Sequence, residues 1–451
     1  MKQWLLVFIT IAGISLAAIF AFDSTVLRLT TIIAGACLTL WLSELVPPFV
    51  PTLLLWTLTP LLLGSFDKTF ALPNVLSWAI DPVLALFFGG FVLGVATGRY
   101  GFDKRLANIA LRSAGKSFAK FLLLVIFLTA FLSMWMSNIA AAALMLAALH
   151  PILLNLEISS RLRRALLIGI ALGADLGGIS TPIGTGPNAI AIASISQTNP
   201  VSFLGWMSFA LPLSIGMLFV SFTLIWFRAR HQQSQWSDKI EIIRGKVFDG
   251  ENRQSLKPKE VGFLLVLAGT ILLWLTEPLH GVSASIVSLA ATSVLFLSRL
   301  LEKEDLLRVD WSTLLLIAGG ITLGKLLEQS GLVKVVAANI ALNDLNPTLA
   351  LFLLCLASAT LSALMSNTAT AVMLIPLAHA LIPAPSTAIL VAIAASFGIP
   401  FVISTPPNAM VFGEGGVKFK DLFLPGMIIM ILGCLLISLT GRSILNLVGI
   451  F

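Results

Sequence analysis

Four short groups of small polar residues interrupt otherwise apolar sequence, and they are the places where chemistry is expected. Two of them are the steps Ser137-Asn138 and Ser366-Asn367, and each follows a hydroxyl one helical turn earlier, at Ser133 or Ser362. Residues four positions apart lie on one face of a helix. Burying such groups in lipid costs several kcal/mol unless they have partners, so they mark either a binding site or polar contacts between packed helices.

The other two groups are segments rich in Gly and Pro, at residues 179–188 and 403–408. Pro removes a backbone donor and breaks a helix. A helix broken at membrane depth exposes N–H groups at one end, which suit an anion, and carbonyl groups at the other, which suit a cation. Ordinary kinks would explain a single break. Both the polar steps and the breaks occur twice in the same order, however, and this duplication favours a site.

No Lys or Arg lies in any of the four groups. An anion bound there has to be held by helix dipoles, by Ser, Thr and Asn side chains, and by bound cations. Because neutral oxygens and carbonyl groups suit sodium, the affinity for the anion is expected to depend on sodium ions.

The elements that must position these groups are membrane helices. The chain is 58% hydrophobic and 11% charged, with a mean hydropathy of +1.00, which excludes a water-soluble domain. Apolar runs of about 20 residues recur along it, the length that crosses a hydrocarbon core of about 30 Å as a helix. The first run, at 4–22, is too long for the core of a secretory signal and no cleavage site follows it, so a first helix is predicted.

We predict an all-α integral membrane protein with about 11 transmembrane helices plus two re-entrant helical hairpins. The predicted units are a first helix at 1–25, a first repeat at 26–227, a cytoplasmic linker at 228–260 and a second repeat at 261–451. Each repeat contains a hairpin, at 118–155 and 347–384, and a broken helix, at 165–197 and 386–412.

The two halves match each other at four places in the same order. The matched segments are Trp41–Glu44 with Trp274–Glu277, Gly89–Gly94 with Gly319–Gly324, Ser133–Asn138 with Ser362–Asn367, and Thr185–Ala189 with Thr405–Ala409. Five predicted crossings separate the start of one repeat from the start of the next, and an odd number places the copies in opposite orientation. This is the inverted-repeat plan of many secondary transporters.

The net charge of +7 lies mainly in the loops between spans. With the amino terminus in the cytoplasm, only Arg28, Lys68, Lys325, Lys334 and Arg442 fall outside, and the other 23 of the 28 basic residues fall inside, as the positive-inside rule predicts. We therefore expect a multi-pass protein of the cytoplasmic (inner) membrane, with the lipid bilayer and not nucleic acid as its partner. An enzyme is not expected, because the sequence has no His-Glu-x-x-His motif, no cysteine cluster and only four His.

Several other polar residues leave alternatives open. Asp175 lies shortly before the first break and is either a structural hydrogen-bond partner or a cation ligand. His150 and His379 follow the hairpin tips and are either packed at an interface or part of a proton relay. Glu44 and Glu277 lie at span ends, where an acid caps a helix, meets solvent or takes part in coupling.

At these residues the sequence resembles the divalent anion:sodium symporter family, the dicarboxylate, citrate and sulfate transporters of the ion transporter superfamily. The resemblance covers almost the whole chain, through the Ser-Asn steps and the Thr-Pro-Pro-Asn segment at 405–408. It implies that the hairpin tips and broken helices form one central site in a homodimer that works by an elevator-like movement. It also implies that a small anion is carried together with sodium.

The resemblance also assigns roles to residues of this chain. Substrate contacts would come from Ser137, Asn138, Ser366, Asn367, Thr368, Thr405 and Pro406. One sodium ion would use Ser133, Asn138 and Gly184, and a second would use Ser362, Asn367 and Ser404.

The first half departs from this pattern at two positions. Ile139 stands where the second half has Thr368, and Gly186 stands where it has Pro406. The loss of one hydrogen bond to a charged group is worth about 1.5 to 3 kcal/mol, enough to change the preferred substrate.

The expected function is sodium-coupled transport of small anions, above all di- or tricarboxylates. A sodium-independent exchanger, a transporter of an inorganic oxyanion such as sulfate, and a channel stay open as alternatives.

Overall fold

The computed structural model describes residues 2–101, 113, 115–158, 160–196, 198–233, 236, 257–338 and 345–450. Every regular element in these ranges is helical, so the predicted all-α fold is confirmed. Lys104, Arg105 and Arg112, which were expected on the cytoplasmic side, lie outside the described residues, as does most of the linker at 228–260.

Within the described residues, the first part of the chain contains ten α-helices, with short 3-10 turns at Lys68–Phe70, Gly178–Ser180 and Arg230–Gln232. The helices are α1 (Lys2–Ala21), α2 (Thr25–Ser43), α3 (Val50–Leu63), α4 (Leu72–Ala79), α5 (Pro82–Arg99), α6 (Phe118–Ser133), α7 (Asn138–Leu154), α8 (Arg161–Gly177), α9 (Gly186–Ile195) and α10 (Phe203–Ala229).

The second part contains nine further helices of seven residues or more within the described ranges, with single helical turns at Glu277–His280 and Lys303–Leu306. These helices are α11 (Pro258–Leu275), α12 (Ala284–Leu297), α13 (Trp311–Gln329), α14 (Leu332–Ala338), α15 (Pro347–Leu364), α16 (Asn367–Leu381), α17 (Pro385–Ser396), α18 (Pro406–Gly413) and α19 (Phe419–Leu447).

Eight of the described helices are long and apolar enough to cross a membrane on their own. They are α1, α2, α5, α10, α11, α13, α15 and α19. The helices at two predicted crossings, α3 and α12, have only 14 residues each. Eleven crossings therefore remain a prediction. The short helices α4 and α14 were not predicted, because eight and seven residues give too weak a periodic signal.

Glycines in the repeated Gly-Gly segments let helices of the two halves pack closely. A Cβ on Gly89 in α5 would lie 2.8 Å from the carbonyl oxygen of Ser288 in α12. A Cβ on Gly319 in α13 would lie 2.9 Å from the Cβ of Thr52 in α3 and would overlap its hydroxyl. Each half thus presents a glycine to a hydroxyl residue of the other half.

Loops that were predicted to share one side of the membrane contact each other. Arg99, at the end of α5, pairs with Glu302 and Asp305 after α12. Arg164, at the start of α8, lies 3.4 Å from Asp421 at the start of α19. These pairs join the end of α5 to the loop after α12, and the start of α8 to the start of α19.

The start of the predicted cytoplasmic linker is not wholly exposed. Trp236 is fully buried. Its ring stacks on Phe121 with centroids 5.0 Å apart and meets Phe118 edge-on at 5.2 Å. The start of the linker is therefore packed onto α6, the first helix of the first hairpin.

Candidate functional site: two hairpin tips and two helix breaks

The tip of the first hairpin connects α6 to α7. The Ser133 hydroxyl, in the last turn of α6, lies 2.9 Å from Asn138 Oδ1 and 2.6 Å from the carbonyl oxygen of Ala174. Ser137 is the N-cap of α7, and its hydroxyl accepts from the Ala140 N–H at 3.3 Å. Capping explains why Ser precedes Asn here, because an N-cap hydroxyl satisfies a backbone donor that the helix leaves unpaired.

The second tip, between α15 and α16, has the same construction. The Ser362 hydroxyl donates to Asn367 Oδ1 at 2.6 Å, and the Ser366 hydroxyl caps α16 by accepting from the Ala369 N–H at 3.2 Å. The Asn side chain of each tip is therefore fixed by a Ser of the preceding helix.

The first break separates α8 from α9. Asn188, in the first turn of α9, donates through Nδ2 towards the carbonyl oxygens of Gly178 at 3.1 Å, Ile179 at 3.4 Å and Thr181 at 2.8 Å. The Thr181 hydroxyl donates to the carbonyl oxygen of Met134 at the first hairpin tip. The break is thus closed by one amide side chain and attached to the hairpin.

The second break, between α17 and α18, repeats this pattern. Asn408 Nδ2 donates to the carbonyl oxygens of Ile399 and Phe401, each at 3.0 Å. The Ser404 hydroxyl donates to the carbonyl oxygen of Ala363 at 2.9 Å, which attaches the break to the second hairpin.

Contacts between the halves bring these four pieces together. The Thr405 hydroxyl of the second break donates to Asp175 Oδ2 at 2.8 Å, and Asp175 Oδ1 lies 3.5 Å from Asn138 Nδ2 at the first tip. At the first break, a Cβ on Gly186 would lie 2.8 Å from Thr368 Cγ2 and would overlap its hydroxyl. Each hairpin tip therefore meets the helix break of the opposite half.

The residues with expected roles differ in exposure. The expected sodium ligands Ser133, Gly184, Ser362 and Ser404 are buried, as is Thr405. Half-buried are Ser137, Asn138, Ser366, Asn367 and Thr368, whereas Pro406 and Ile139 are exposed. The hairpin tips are thus the accessible part of the site.

The structure locates three of the residues whose roles the sequence left undecided. His150 and His379 are exposed, which suits an interfacial location. Glu277 caps two helix starts, because its carboxylate accepts from the N–H groups of Phe203 at 3.1 Å and Ala284 at 3.3 Å.

Oxygen atoms crowd around Gly178 in the first half. A Cβ at Gly178 would collide with Asn138 Oδ1 and would lie 2.9 Å from the carbonyl oxygen of Gly184. The amide oxygens of Asn188 and Asn408 are buried and have no hydrogen-bond donor among the described residues. Asn138 Oδ1 and the Gly184 carbonyl oxygen lie close together beside Gly178, and the Asn188 and Asn408 amide oxygens lack donors; such oxygens suit a cation better than an anion.

Apolar helices that carry two copies of a hairpin and a broken helix, joined at one polar centre, are the plan of many helical membrane transporters. The chain belongs to the citrate transporter family, whose family model matches residues 38–388. This confirms the resemblance given by the Ser-Asn and Thr-Pro-Pro-Asn segments, and it is membership of a transporter family and not of an enzyme family.

Two relatives and one solved structure give further similarity. An uncharacterized transporter of Schizosaccharomyces pombe is 29% identical over 354 residues, which are 75% of this chain and 39% of that protein. The sodium-dependent dicarboxylate transporter SdcS of Staphylococcus aureus is 27% identical over 446 residues, 91% of this chain and 84% of that protein. The YdaH transporter of Alcanivorax borkumensis has the same fold, with a TM-score of 0.56 and 15% identity, over 88% of this chain and 99% of that chain.

Proposed function

We propose that this protein is a sodium-coupled transporter of small anions, above all di- or tricarboxylates, in the cytoplasmic membrane with its amino terminus in the cytoplasm. One observation carries the proposal. Four helices begin at the centre, namely α7, α9, α16 and α18, and four end there, namely α6, α8, α15 and α17. The dipoles of the starting helices favour negative charge, and the terminal carbonyl groups of the ending helices favour a cation.

The anion is bound by the starting helices. Free N–H groups in the first turns of α7 and α16, together with the hydroxyls of Ser137, Ser366 and Thr368, provide donors for carboxylate oxygens. Because none of the four polar segments contains Lys or Arg, this binding lacks a fixed positive charge. A cation bound nearby supplies that charge, and the anion affinity then depends on the cation concentration.

Sodium is cargo here, and the oxygens of the two breaks suit it. In the first half the ligands are Ser133, Asn138 and the Gly184 carbonyl oxygen; Ser133 lies 2.9 Å from Asn138 Oδ1, and Asn138 Oδ1 and the Gly184 carbonyl oxygen both lie beside Gly178. In the second half they are Ser362, Asn367 and Ser404. The S. aureus relative is named as a sodium-dependent transporter, which supports sodium as the coupled ion.

We further propose that residues 26–227 and 261–451 are inverted repeats, and that the protein works as a homodimer by an elevator-like movement. The matching hydrogen bonds in the two breaks support the repeat. The close packing of α3 with α13 and of α5 with α12, at Gly319 and Gly89, supports a frame built from both halves.

Uptake of labelled succinate and citrate into proteoliposomes tests the proposal. With an inward sodium gradient, uptake is expected to exceed uptake in choline at least tenfold. Equal uptake in both salts, with exchange driven by internal anion, would instead establish a sodium-independent exchanger. Currents far above transporter turnover in a planar bilayer would establish a channel.

A further inference from the structure

One charged residue of the site has no counterpart in the other half. Asn188 binds the carbonyl oxygens at positions 179 and 181, and Asn408 binds those at 399 and 401. Residues of the first break are therefore separated from their equivalents in the second break by one constant number of positions. At the same separation, the residue equivalent to Asp175 is Ala395. The first half has a carboxylate where the second half has a methyl group.

The surroundings of Asp175 leave its charge uncompensated. The residue is 1% exposed. Its oxygens accept from Thr405 and Asn138, and no Lys, Arg or His within the described ranges forms an ion pair with it. Two neutral donors do not replace the hydration of a buried carboxylate, so a positive partner is required for the ionised group to be stable there.

Asn138 links this carboxylate to the oxygens of the first break. Its Nδ2 faces Asp175, while its Oδ1 lies 2.9 Å from the Ser133 hydroxyl and adjoins Gly178 and the Gly184 carbonyl oxygen. A cation held by these oxygens lies next to the amide that contacts Asp175. A cation bound by these oxygens would be the positive partner that an ionised Asp175 requires.

We propose that Asp175 is the anionic member of the first sodium site, so that this site binds its ion before the transported anion arrives. The second site, built from the neutral groups of Ser362, Asn367 and Ser404, binds its ion together with the anion. This inference rests on the proposed function, and it adds an order of binding and an asymmetry between the two sites.

The test is sodium binding without any anion substrate. Purified protein in detergent is titrated with sodium chloride against choline chloride at constant ionic strength, and the melting temperature is recorded. The unaltered protein is expected to be stabilised by sodium alone, and Asp175→Asn is expected to raise the half-saturating sodium concentration at least tenfold. The Asn variant keeps an oxygen that accepts from Thr405, so its folding is expected to be preserved.

Ser358→Ala is the matched control. The buried Ser358 hydroxyl donates to the carbonyl oxygen of Val391 at 2.9 Å, so it also joins a hairpin to a broken helix, but it lies away from the proposed ligands. This variant is expected to lower the melting temperature but to keep the sodium midpoint. An unchanged midpoint in both Asp175→Asn and Asp175→Ala would overturn the inference, as would the absence of any sodium effect in the unaltered protein. If sodium-driven uptake by the unaltered protein persists in either case, the proposed function still stands.

Discussion

The Thr405 hydroxyl donates to the carboxylate of Asp175 at 2.8 Å, although the two residues are 230 positions apart. This bond connects the second helix break to the last turn of α8, next to the first hairpin tip. The resemblance implies that Thr405 contacts the substrate, but in this structure its hydroxyl hydrogen is used by Asp175. Direct donation from Thr405 to a bound carboxylate therefore requires that the bond to Asp175 is given up.

The Asn residues of the two tips are expected to control the response to sodium. Asn138→Ala and Asn367→Ala each remove an amide oxygen that is fixed by a Ser hydroxyl and is assigned to a cation. Each change is expected to raise the sodium concentration that gives half-maximal uptake at least tenfold, a free energy of about 1.4 kcal/mol. Sodium titrations that are unchanged in both variants would contradict the assignment.

Substrate preference is expected to depend on residue 139. Ile139→Thr restores at the first tip the hydroxyl that Thr368 provides at the second, and Ile139 is 45% exposed, so the new side chain is accommodated. A hydrogen bond to a charged group contributes about 1.5 to 3 kcal/mol, so binding of succinate is expected to tighten at least tenfold relative to a monocarboxylate. Competition against labelled substrate measures this ratio. Ile158→Thr, at a residue that is 63% exposed outside the site, is the control and is expected to leave the ratio unchanged.

The polar centre was predictable from sequence because polar residues are rare and costly in membrane helices. Repeated Ser-Asn steps and Gly/Pro segments therefore stand out in apolar sequence. The contacts between the halves were not predictable in the same way. The bond from Thr405 to Asp175 and the contact of Thr368 with Gly186 depend on how separate hairpins and breaks are arranged, and no local pattern encodes that arrangement.

Gly186, which stands where the second half has Pro406, is required for steric reasons. A Cβ at this position would overlap the Thr368 hydroxyl, so the Pro that stands at 406 has no room at 186. Gly186→Ala is expected to lower the melting temperature by several degrees and to reduce uptake.

Two further variants separate this clash from the general effect of replacing a glycine in a helix. Thr368→Ala in the same chain removes the colliding atoms and is expected to restore most of the melting temperature. Gly216→Ala, in α10 where nothing lies within 4 Å of the added methyl, is expected to be neutral or stabilising. Failure of Thr368→Ala to recover any stability would show that the clash is not the cause.

The ion pairs at the end of α5 are expected to differ strongly in their contribution to stability. Arg99 pairs with both Asp305 and Glu302, whose side chains are 3% and 56% exposed, respectively. The Asp305 carboxylate is buried, so solvent screens its attraction to Arg99 weakly, whereas an exposed pair contributes about 0 to 1 kcal/mol. Asp305→Asn is therefore expected to lower the melting temperature markedly, and Glu302→Gln is expected to change it little.

High salt is expected to reduce the small effect of Glu302→Gln further, because ions screen exposed charges. Equal shifts for the two variants would mean that Asp305 acts through the capping of the turn at Lys303–Leu306, where it accepts from the Glu302 N–H at 2.9 Å, and not through its charge.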